Sequence, residues 1–378
     1  MTARIAFTGD IMCPPGLTEM IAEKTGKRDY SSIFAGIERE LRAADVLVGN
    51  LETPLAGEDM LFTHERYCFN TPDEFAEMLK DYGFGLLCLA NNHCMDRGEK
   101  GIIRTLGALD RIGVAHTGLY RDESERKPTV VEANGIRIGI VNCTYGTNAF
   151  AHHNFLSARP SPMVNLTQPE ETLPGSIHLL EPMERIAELT AEYYSGRSEI
   201  YGSEISPYLE RLKGDLAAAK AVSDVVIAVM HSGGQYNPEP DAYTLNLART
   251  LREYGADAIV GHHPHVIHRS GIEDGVFTAY SLGNLFCLPS QAQDRAGSSY
   301  SAILTLTVGK DGGKAGITGA DFALTYTAEP DGELPYCVNA AEAPDVSEAL
   351  YYASKFAGTD HEGIKESYTI FGNGGNAI

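Results

Sequence analysis

The stretch Ile5-Ala6-Phe7-Thr8-Gly9-Asp10-Ile11-Met12 carries the pattern on which the rest of the fold is built. Its apolar beginning predicts a short buried strand, and Gly9-Asp10 places a turn and a carboxylate where that strand ends. Further along the chain, similar apolar runs alternate with stretches of helical periodicity. This alternation is typical of an α/β fold in which each strand leads into a helix.

Short strands and amphipathic helices follow from this periodicity. The predicted strands cover residues 5–8, 46–48, 86–89, 225–229, 258–260, 278–281 and 303–308, followed by β-like sequence to about residue 326. The predicted helices lie around residues 31–41, 72–79, 102–109, 209–222 and 243–254, the first of them capped by Ser31 or Ser32. Asn134-Gly135, between two β-rich runs, predicts a hairpin with a primed turn.

The alternation is interrupted in the middle of the chain and ends before the C-terminus. Residues from about 150 to 206 are rich in Pro, His, Ser and Glu, and we interpret them as an irregular insertion or cap. Residues 1–330, which include this insertion, are expected to form the α/β domain. Residues 331–378 are expected to form a C-terminal helical extension and tail.

The composition restricts the partners that the protein can have. Thirty basic against 51 acidic residues give a net charge of −21, which repels nucleic-acid phosphates, so we expect no nucleic-acid partner. No apolar run approaches the roughly 20 residues that span a bilayer, so we expect no transmembrane segment and a chain that is soluble as given. The sequence leaves two compartments open: the cytoplasm, or the cell surface after removal of a leader or anchor. The seven cysteines form no C-x-x-C pair and are expected to be reduced thiols.

Polar side chains of the metal-ligand type follow five of the predicted strands. They occur in Thr8-Gly9-Asp10, Gly49-Asn50-Leu51-Glu52, Asn91-Asn92-His93, His231-Ser232-Gly233-Gly234 and Gly261-His262-His263-Pro264-His265. In an open α/β sheet, ligands bind in the crevice outside the carboxyl ends of the strands, so these loops are expected to converge. Each motif alone has an ordinary explanation as a turn, a cap or a buried histidine. Their joint occurrence at successive strand ends favours a site.

The set of side chains indicates the chemistry of that site. Carboxylates, carboxamides and imidazoles together suit one or two divalent ions such as Mn, Fe or Zn better than an all-oxygen calcium site. The expected metal ligands are Asp10, Asn50, Glu52, Asn92, His231, His263 and His265. Two such ions about 3.5–4 Å apart can clamp the attacking and leaving oxygens of a phosphoryl displacement, and a carboxylate can bridge them. His93 and Asn92 are the catalytic candidates, with His93 as a general acid.

Several neighbouring residues are expected to lie outside the site. Asp96 is most simply the cap of the helix that begins near Glu99. His262 is expected to point away from the His-x-His pair that flanks Pro264, because alternate residues of an extended segment face the same side. The histidines of the irregular insertion, at positions 152, 153 and 178, are expected to lie at the surface. The chain also has no P-loop and no G-x-S-x-G nucleophile elbow.

These segments, together with Tyr280-Ser281-Leu282-Gly283-Asn284, resemble the CapA family of poly-γ-glutamate (capsule) biosynthesis proteins within the calcineurin-like metallophosphoesterase superfamily. The resemblance runs from Ile5 to about Phe286. It implies a sandwich of two β-sheets flanked by helices, with the metal site at one edge. It also implies that Asp10 and His265 bind one metal, that Glu52 bridges, and that Asn92, His231 and His263 bind the second metal.

The resemblance leaves two functions open. The first is a metal-dependent, phosphoesterase-like hydrolase that acts on a small-molecule or polymer substrate. The second is a non-catalytic metal-binding component of a polyglutamate synthesis or export complex, with synthase components as partners. The superfamily usually has a metal-binding histidine where this chain has Met12, which is a poor ligand for such ions. We therefore expect the half of the site around Asp10 to be the weaker one. A third interpretation, in which the histidines are only core and cap residues, predicts no bound ion.

Overall fold

The structure is a computed structural model that describes residues 1–64, 68–152, 154–170, 205–292 and 295–372. Most of the predicted insertion, including His153 and His178, lies outside these residues, as does the end of the predicted C-terminal tail. Within the described residues, no helix is both long and apolar enough to cross a membrane.

Fifteen strands and eight α-helices are seen in the described residues. The strands are β1 (Thr2–Ile11), β2 (Val46–Leu51), β3 (Phe84–Cys88), β4 (Ala115–Thr117), β5 (Thr129–Ala133), β6 (Ile136–Thr144), β7 (Val225–His231), β8 (Ala258–His262), β9 (Ser270–Glu273), β10 (Val276–Ala279), β11 (Asn284–Phe286), β12 (Tyr300–Asp311), β13 (Lys314–Ala328), β14 (Tyr336–Asn339) and β15 (Tyr368–Phe371). The helices are α1 (Leu17–Thr25), α2 (Glu38–Leu41), α3 (Asp73–Asp81), α4 (Gly98–Ile112), α5 (Ala149–His152), α6 (Ser206–Val222), α7 (Ala242–Glu253) and α8 (Val346–Ala357).

The described strands form two sheets. The first has the order β14-β13-β12-β1-β2-β3-β4, with β11 paired to β1 and β15 paired to β13. The second has the order β5-β6-β7-β8-β10-β9. In the first sheet β1, β2, β3 and β4 run parallel, and in the second β6, β7, β8 and β10 do. The parallel strands therefore present their carboxyl ends together.

The two sheets pack face to face with helices on the outside of each. The alternation of side chains along a strand divides the core: Ile5 and Phe7 of β1 face the second sheet, whereas Ala6 between them faces the helices. In β7, Ile227 likewise packs between the sheets while Ala228 packs beneath α6 and α7. The predicted fold class, an α/β sandwich of two sheets flanked by helices, is therefore confirmed.

The predicted strands and most of the predicted helices are present in the structure, but one predicted helix is not. The predicted helix at residues 31–41 is wrong: residues 31–35 form turns, and only Glu38–Leu41 is helical. Ile33, Phe34 and Ile37 are nevertheless fully buried, because the turns press them against the first sheet as a helix would have done. The hairpin at Asn134-Gly135 is confirmed, with both residues at positive φ.

The segment after residue 330 is continuous with the first sheet. It contains the helix α8 and two strands, β14 and β15, that pair with opposite parts of β13. Phe356 of α8 is fully buried against Phe322 of β13, and Tyr368 of β15 stacks on the same ring. The described part of the predicted helical extension thus contributes both strands and core to the domain.

Candidate metal centre

Strand pairing brings the predicted ligands together at the carboxyl ends of the parallel strands. In the first sheet, Asp10 of β1 pairs with Asn50 of β2 on one side and with Asn284 of β11 on the other. In the second sheet, His231 of β7 pairs with His262 of β8. The expected convergence of loops therefore occurs across both sheets.

Glu52, just beyond β2, lies at the centre of the cluster. Its side chain is fully buried, and neither carboxylate oxygen has a hydrogen-bond partner among the described residues. Its Oε1 is 3.5 Å from Nε2 of His231 and 3.8 Å from Nε2 of His265. Burial, followed by repulsion from Asp10 and Asp96, raises the pKa of Glu52 well above its usual value. A buried carboxylate that lacks donors is a group that a cation would stabilise.

Two groups of three ligand atoms have the spacing that one ion requires, and both include Glu52. One consists of Glu52, His263 and His265, and the other of Asp10, Glu52 and His231. Within each group the atoms lie within 4.8 Å of one another. This arrangement fits a shared carboxylate. It groups His231 with Asp10 and His263 with His265, which differs from the division into two ions that the resemblance implies.

Asp10 is held by several donors. Its Oδ1 accepts hydrogen bonds from Nδ2 of Asn50 (2.8 Å) and Nδ1 of His262 (2.9 Å), and its Oδ2 accepts from the backbone N–H of His263 (3.1 Å). Nδ1 of His265 lies 3.2 Å from the same Oδ2. Burial alone would raise the pKa of Asp10, but the contacts with His262 and His265 hold it well below its usual value. The expectation that His262 points away is wrong, because β8 ends at this residue and turns its ring toward Asp10.

The imidazole rings of His231 and His263 are fully buried. Burial, and then the proximity of other histidines, lowers the pKa of both rings well below the usual value. His263 Nδ1 lies 3.0 Å from His231 Nε2, and Nε2 of His263 has no partner among the described residues. Neutral imidazole nitrogen is the form that binds a metal ion.

The two carboxamides at the cluster are oriented by protein contacts. Asn92 directs its Oδ1 to His231 Nε2 at 2.7 Å and donates from Nδ2 to Asn148 Oδ1 at 3.2 Å, so its oxygen faces the cluster. Asn50 donates from Nδ2 to Asp10, and its Oδ1 accepts a long 3.4 Å bond from Asn91. In this geometry Asn50 orients Asp10, whereas Asn92 offers an oxygen.

His93 belongs to a chain of polar groups beside the cluster. Its Nδ1 donates to Asp96 Oδ2 at 2.7 Å, and the ring of Phe69 lies over the imidazole with centroids 4.3 Å apart. The other oxygen of Asp96 is 3.5 Å from Nε2 of His152, which is largely buried. Two expectations are therefore wrong: Asp96 orients His93 and accepts from Phe69 N–H instead of capping α4, and His152 is not at the surface.

The loop after β6 also reaches the cluster, although no site residue was expected in it. Tyr145, directly after that strand, places its ring 4.7 Å from the ring of His263, and Asn148 and His152 lie a few residues later. The signal was present, because Thr144-Tyr145-Gly146 follows an apolar strand as Thr8-Gly9-Asp10 does. These residues lie just before the irregular insertion predicted from about residue 150, and no site was assigned to them.

The backbone at the cluster is unusually constrained. His263 and His265 have φ values of 99° and 59°, which are uncommon for residues with a side chain. Two glycines permit close strand contacts: a Cβ on Gly9 would lie 2.3 Å from the carbonyl oxygen of Gly283, and one on Gly261 would lie 2.1 Å from that of Tyr280. The ligands are thus held by a tightly determined backbone.

Met12 lies beside the cluster and packs with Phe69 and Cys287 in a small apolar group of its own. It is nearly buried, with 4% of its surface exposed. The position at which the sequence resemblance implies a metal-binding histidine is therefore part of an apolar wall.

Fold and cluster together define a two-sheet α/β protein with a buried carboxylate and imidazole centre at its strand ends. A sequence model of the family described as bacterial capsule synthesis protein PGA_cap matches residues 4–287. The chain belongs to this family.

Curated relatives include proteins of capsule synthesis. The chain is 28% identical to the PGA biosynthesis protein CapA of Bacillus subtilis over 282 residues, which cover 74% of this chain and 62% of that protein. It is 26% identical to the capsule biosynthesis protein CapA of Bacillus anthracis over 284 residues, 74% of this chain and 58% of that one. A probable polyglutamine synthesis accessory protein of Mycobacterium tuberculosis is 22% identical, with 65% and 56% covered. The chain thus spans about three fifths of the length of these relatives.

A solved structure of a calcineurin-like phosphoesterase from Bacillus subtilis is also similar. It has a TM-score of 0.43 and 13% sequence identity, and the match covers 94% of this chain and 96% of that one.

Proposed function

We propose that this protein is a metal-dependent, phosphoesterase-like hydrolase that acts in capsule or polyglutamate synthesis. The observation that carries the proposal is Glu52, a fully buried carboxylate with two unsatisfied oxygens at the junction of two ligand groups. Leaving a carboxylate buried without a partner costs several kcal/mol, on the order of the desolvation penalty of an ion. A divalent cation between the two groups would remove that penalty.

The donor set fits such an ion. Asp10, Glu52, His231, His263 and His265 would hold it, and the oxygen of Asn92 is directed toward the same space. A bound divalent ion supplies Lewis acidity and activates water for attack on an ester. The mixture of oxygen and nitrogen donors favours Mn, Fe or Zn over Ca.

His93 is placed to handle a proton next to this centre. Its Nδ1 is occupied by Asp96, which fixes the orientation of the ring and leaves Nε2 for the cavity that His93 lines. An imidazole held in this way can protonate the oxygen of a leaving group. The buried ring of Phe69 restricts water on one side of it.

The proposal is tested with the purified protein loaded with Mn. We expect cleavage of 4-nitrophenyl phosphate or bis(4-nitrophenyl) phosphate, loss of at least about 100-fold in kcat/KM for Glu52→Gln and His231→Ala, and loss of bound metal by elemental analysis. His116→Ala is the control, because His116 lies on β4 beside Asp110 and outside the centre.

Two results would contradict the proposal in different ways. Metal binding without turnover on a broad panel of esters would favour the non-catalytic component of a synthesis complex, which the apolar character of Met12 also supports. Absence of any bound ion after loading with Mn or Zn would remove both functions and leave a structural role for the histidines.

A further inference from the structure

A cavity lies beside the candidate centre, and two residues described above, His93 and His265, line it. The other lining residues are Met12, Pro14, Pro15, Phe69, Gln235, Tyr236, Cys287 and Gln291. Nε2 of His265 lies 3.8 Å from Oε1 of Glu52, so the cavity adjoins the centre.

The cavity wall is largely apolar. None of the described residues that line it is Lys, Arg, Asp or Glu. Met12, Phe69 and Cys287 form one continuous apolar surface in it. Burial raises the pKa of the Cys287 thiol, so this sulfur is neutral at physiological pH. The guanidinium of Arg295 packs over the ring of Tyr236, 4.7 Å from its centroid. Arg295 itself is not one of the residues that line the cavity.

Carboxamides supply the polar contacts. Gln235 has a buried Oε1 with no hydrogen-bond partner among the described residues, and Gln291 lies partly exposed at the rim. The cavity has a volume of only about 20 Å³, so a ligand enters it only if side chains move. Met12 and the two glutamines are unbranched side chains that can change rotamer to admit one. An amide group can satisfy a neutral polar atom of a ligand, whereas it offers no charge to compensate an anion.

We propose that this cavity binds an uncharged, predominantly apolar substituent of the substrate, so that the protein prefers esters with an organic group on that side over free phosphate and small phosphate monoesters. The inference rests on the proposed function, because it assigns the substrate class of the same centre. It follows from the absence of Lys and Arg among the described residues of the wall and from the apolar surface of Met12, Phe69 and Cys287. A polyanionic substituent would find no lysine or arginine among the described residues of this wall to compensate its charge.

The test compares ligands of equal charge. Binding of phenylphosphonate, methylphosphonate and inorganic phosphate to the Mn-loaded protein is measured by calorimetry. We expect phenylphosphonate to bind at least about tenfold more tightly than methylphosphonate, since burial of the ring removes apolar surface from water. Met12→Lys and the rim variant Gln291→Lys should bring that ratio close to one. Val222→Lys, at the exposed end of α6, is the matched control and should keep it.

The outcomes separate this proposal from the proposed function. Equal affinity for the two phosphonates in the unaltered protein, or an unchanged ratio in both Lys variants, would overturn the cavity assignment even if esters are cleaved. A tight phenylphosphonate complex in a protein that cleaves no ester would support the cavity while removing the hydrolase. If neither phosphonate binds, the cavity assignment is overturned, and the hydrolase stands or falls by its turnover.

Discussion

Glu52 should lose a proton when a metal ion binds. Its pKa is raised well above the usual value in the metal-free protein, whereas His231 and His263, whose pKa values are lowered, already lack the second proton. Binding of Mn at about pH 6 should therefore release about one proton per ion, and Glu52 is its source. Titration calorimetry in two buffers of different ionisation enthalpy measures this number. Glu52→Gln should release none, and equal release from both proteins would contradict the assignment.

The same residues determine how the metal-free protein responds to acid. His231 and His263 have lowered pKa values in the folded state, so the stability that they contribute is present above about pH 6.5 and is lost as the pH falls below it. Glu52 acts in the opposite direction, because its raised pKa makes the folded state bind a proton that the unfolded chain releases above about pH 4.5. His268, whose pKa burial lowers to about 4, acts in the same direction as the two histidines. Around pH 5.5, three imidazoles against one carboxyl leave a net uptake of about two protons on unfolding.

Urea unfolding between about pH 5 and pH 6.5 tests this balance. The free energy of unfolding should rise with pH by roughly 2–3 kcal/mol per unit, and Glu52→Gln should make the slope steeper by roughly a further 1.4 kcal/mol per unit. A flat slope in the unaltered protein would show that these histidines are not buried in their neutral form, and a shallower slope in the variant would contradict the raised pKa of Glu52.

Residues at the strand ends could be located from the sequence, but their orientation could not. Asp10, Glu52, His231, His263 and His265 come together as the strand-end pattern predicts, because parallel strands place the residues at their carboxyl ends along one edge of the sheet. His262 was misjudged because alternation applies to extended backbone, and the chain here passes through the positive φ values of its neighbours. A pattern of residue types carries no information about such a local reversal.

Among the elements, β1 depends on a glycine at its end. A side chain on Gly9 would collide with the backbone of Gly283, next to the register shift between β1 and β2 that sets the direction of Asp10. We expect Gly9→Ala to lower the free energy of unfolding by about 1–3 kcal/mol and to weaken Mn binding, because the end of the strand must move. Urea unfolding and metal titration measure both effects.

Gly107 provides the matched control for this change. It lies inside α4, where an added Cβ would meet no atom within 4 Å, so Gly107→Ala should raise the free energy of unfolding by roughly 0.5–1 kcal/mol. Equal effects of the two alanines would mean that the close approach of β1 to β11 does not constrain the site.

Two features were misjudged from the sequence, because each pattern is compatible with two structures. Ile33, Phe34 and Ile37 have the spacing of a helical face, yet successive turns bury the same residues. The loop after β6 was missed because a long irregular stretch comes directly after it and obscures the strand-end pattern. In both cases tertiary packing, which periodicity does not encode, decides between the alternatives.

For the whole molecule, the two-sheet core extends past residue 330. Removal of residues 331–378 would unpair two stretches of the β13 edge that faces away from β12 and would expose Phe322, which contacts Phe356 and Tyr368. We therefore expect a chain of residues 1–330 to lose cooperative thermal unfolding and to aggregate, as unpaired strand edges and exposed core promote association. Calorimetry and size-exclusion chromatography test this, and a soluble, cooperatively folded, Mn-binding truncation would show that the extension is dispensable.

The positive φ values of His263 and His265 set thermal stability against metal binding at the centre, because these two candidate ligands adopt a backbone conformation that disfavours a side chain. Left-handed conformations cost a histidine on the order of 1–3 kcal/mol that glycine does not incur. Laboratory evolution for heat resistance alone, without an assay for bound ion, would therefore accumulate glycine or asparagine at these two positions early. Libraries screened for thermal tolerance should keep His263 and His265 unchanged. Otherwise the most heat-resistant variants will be those that have lost these two candidate metal ligands.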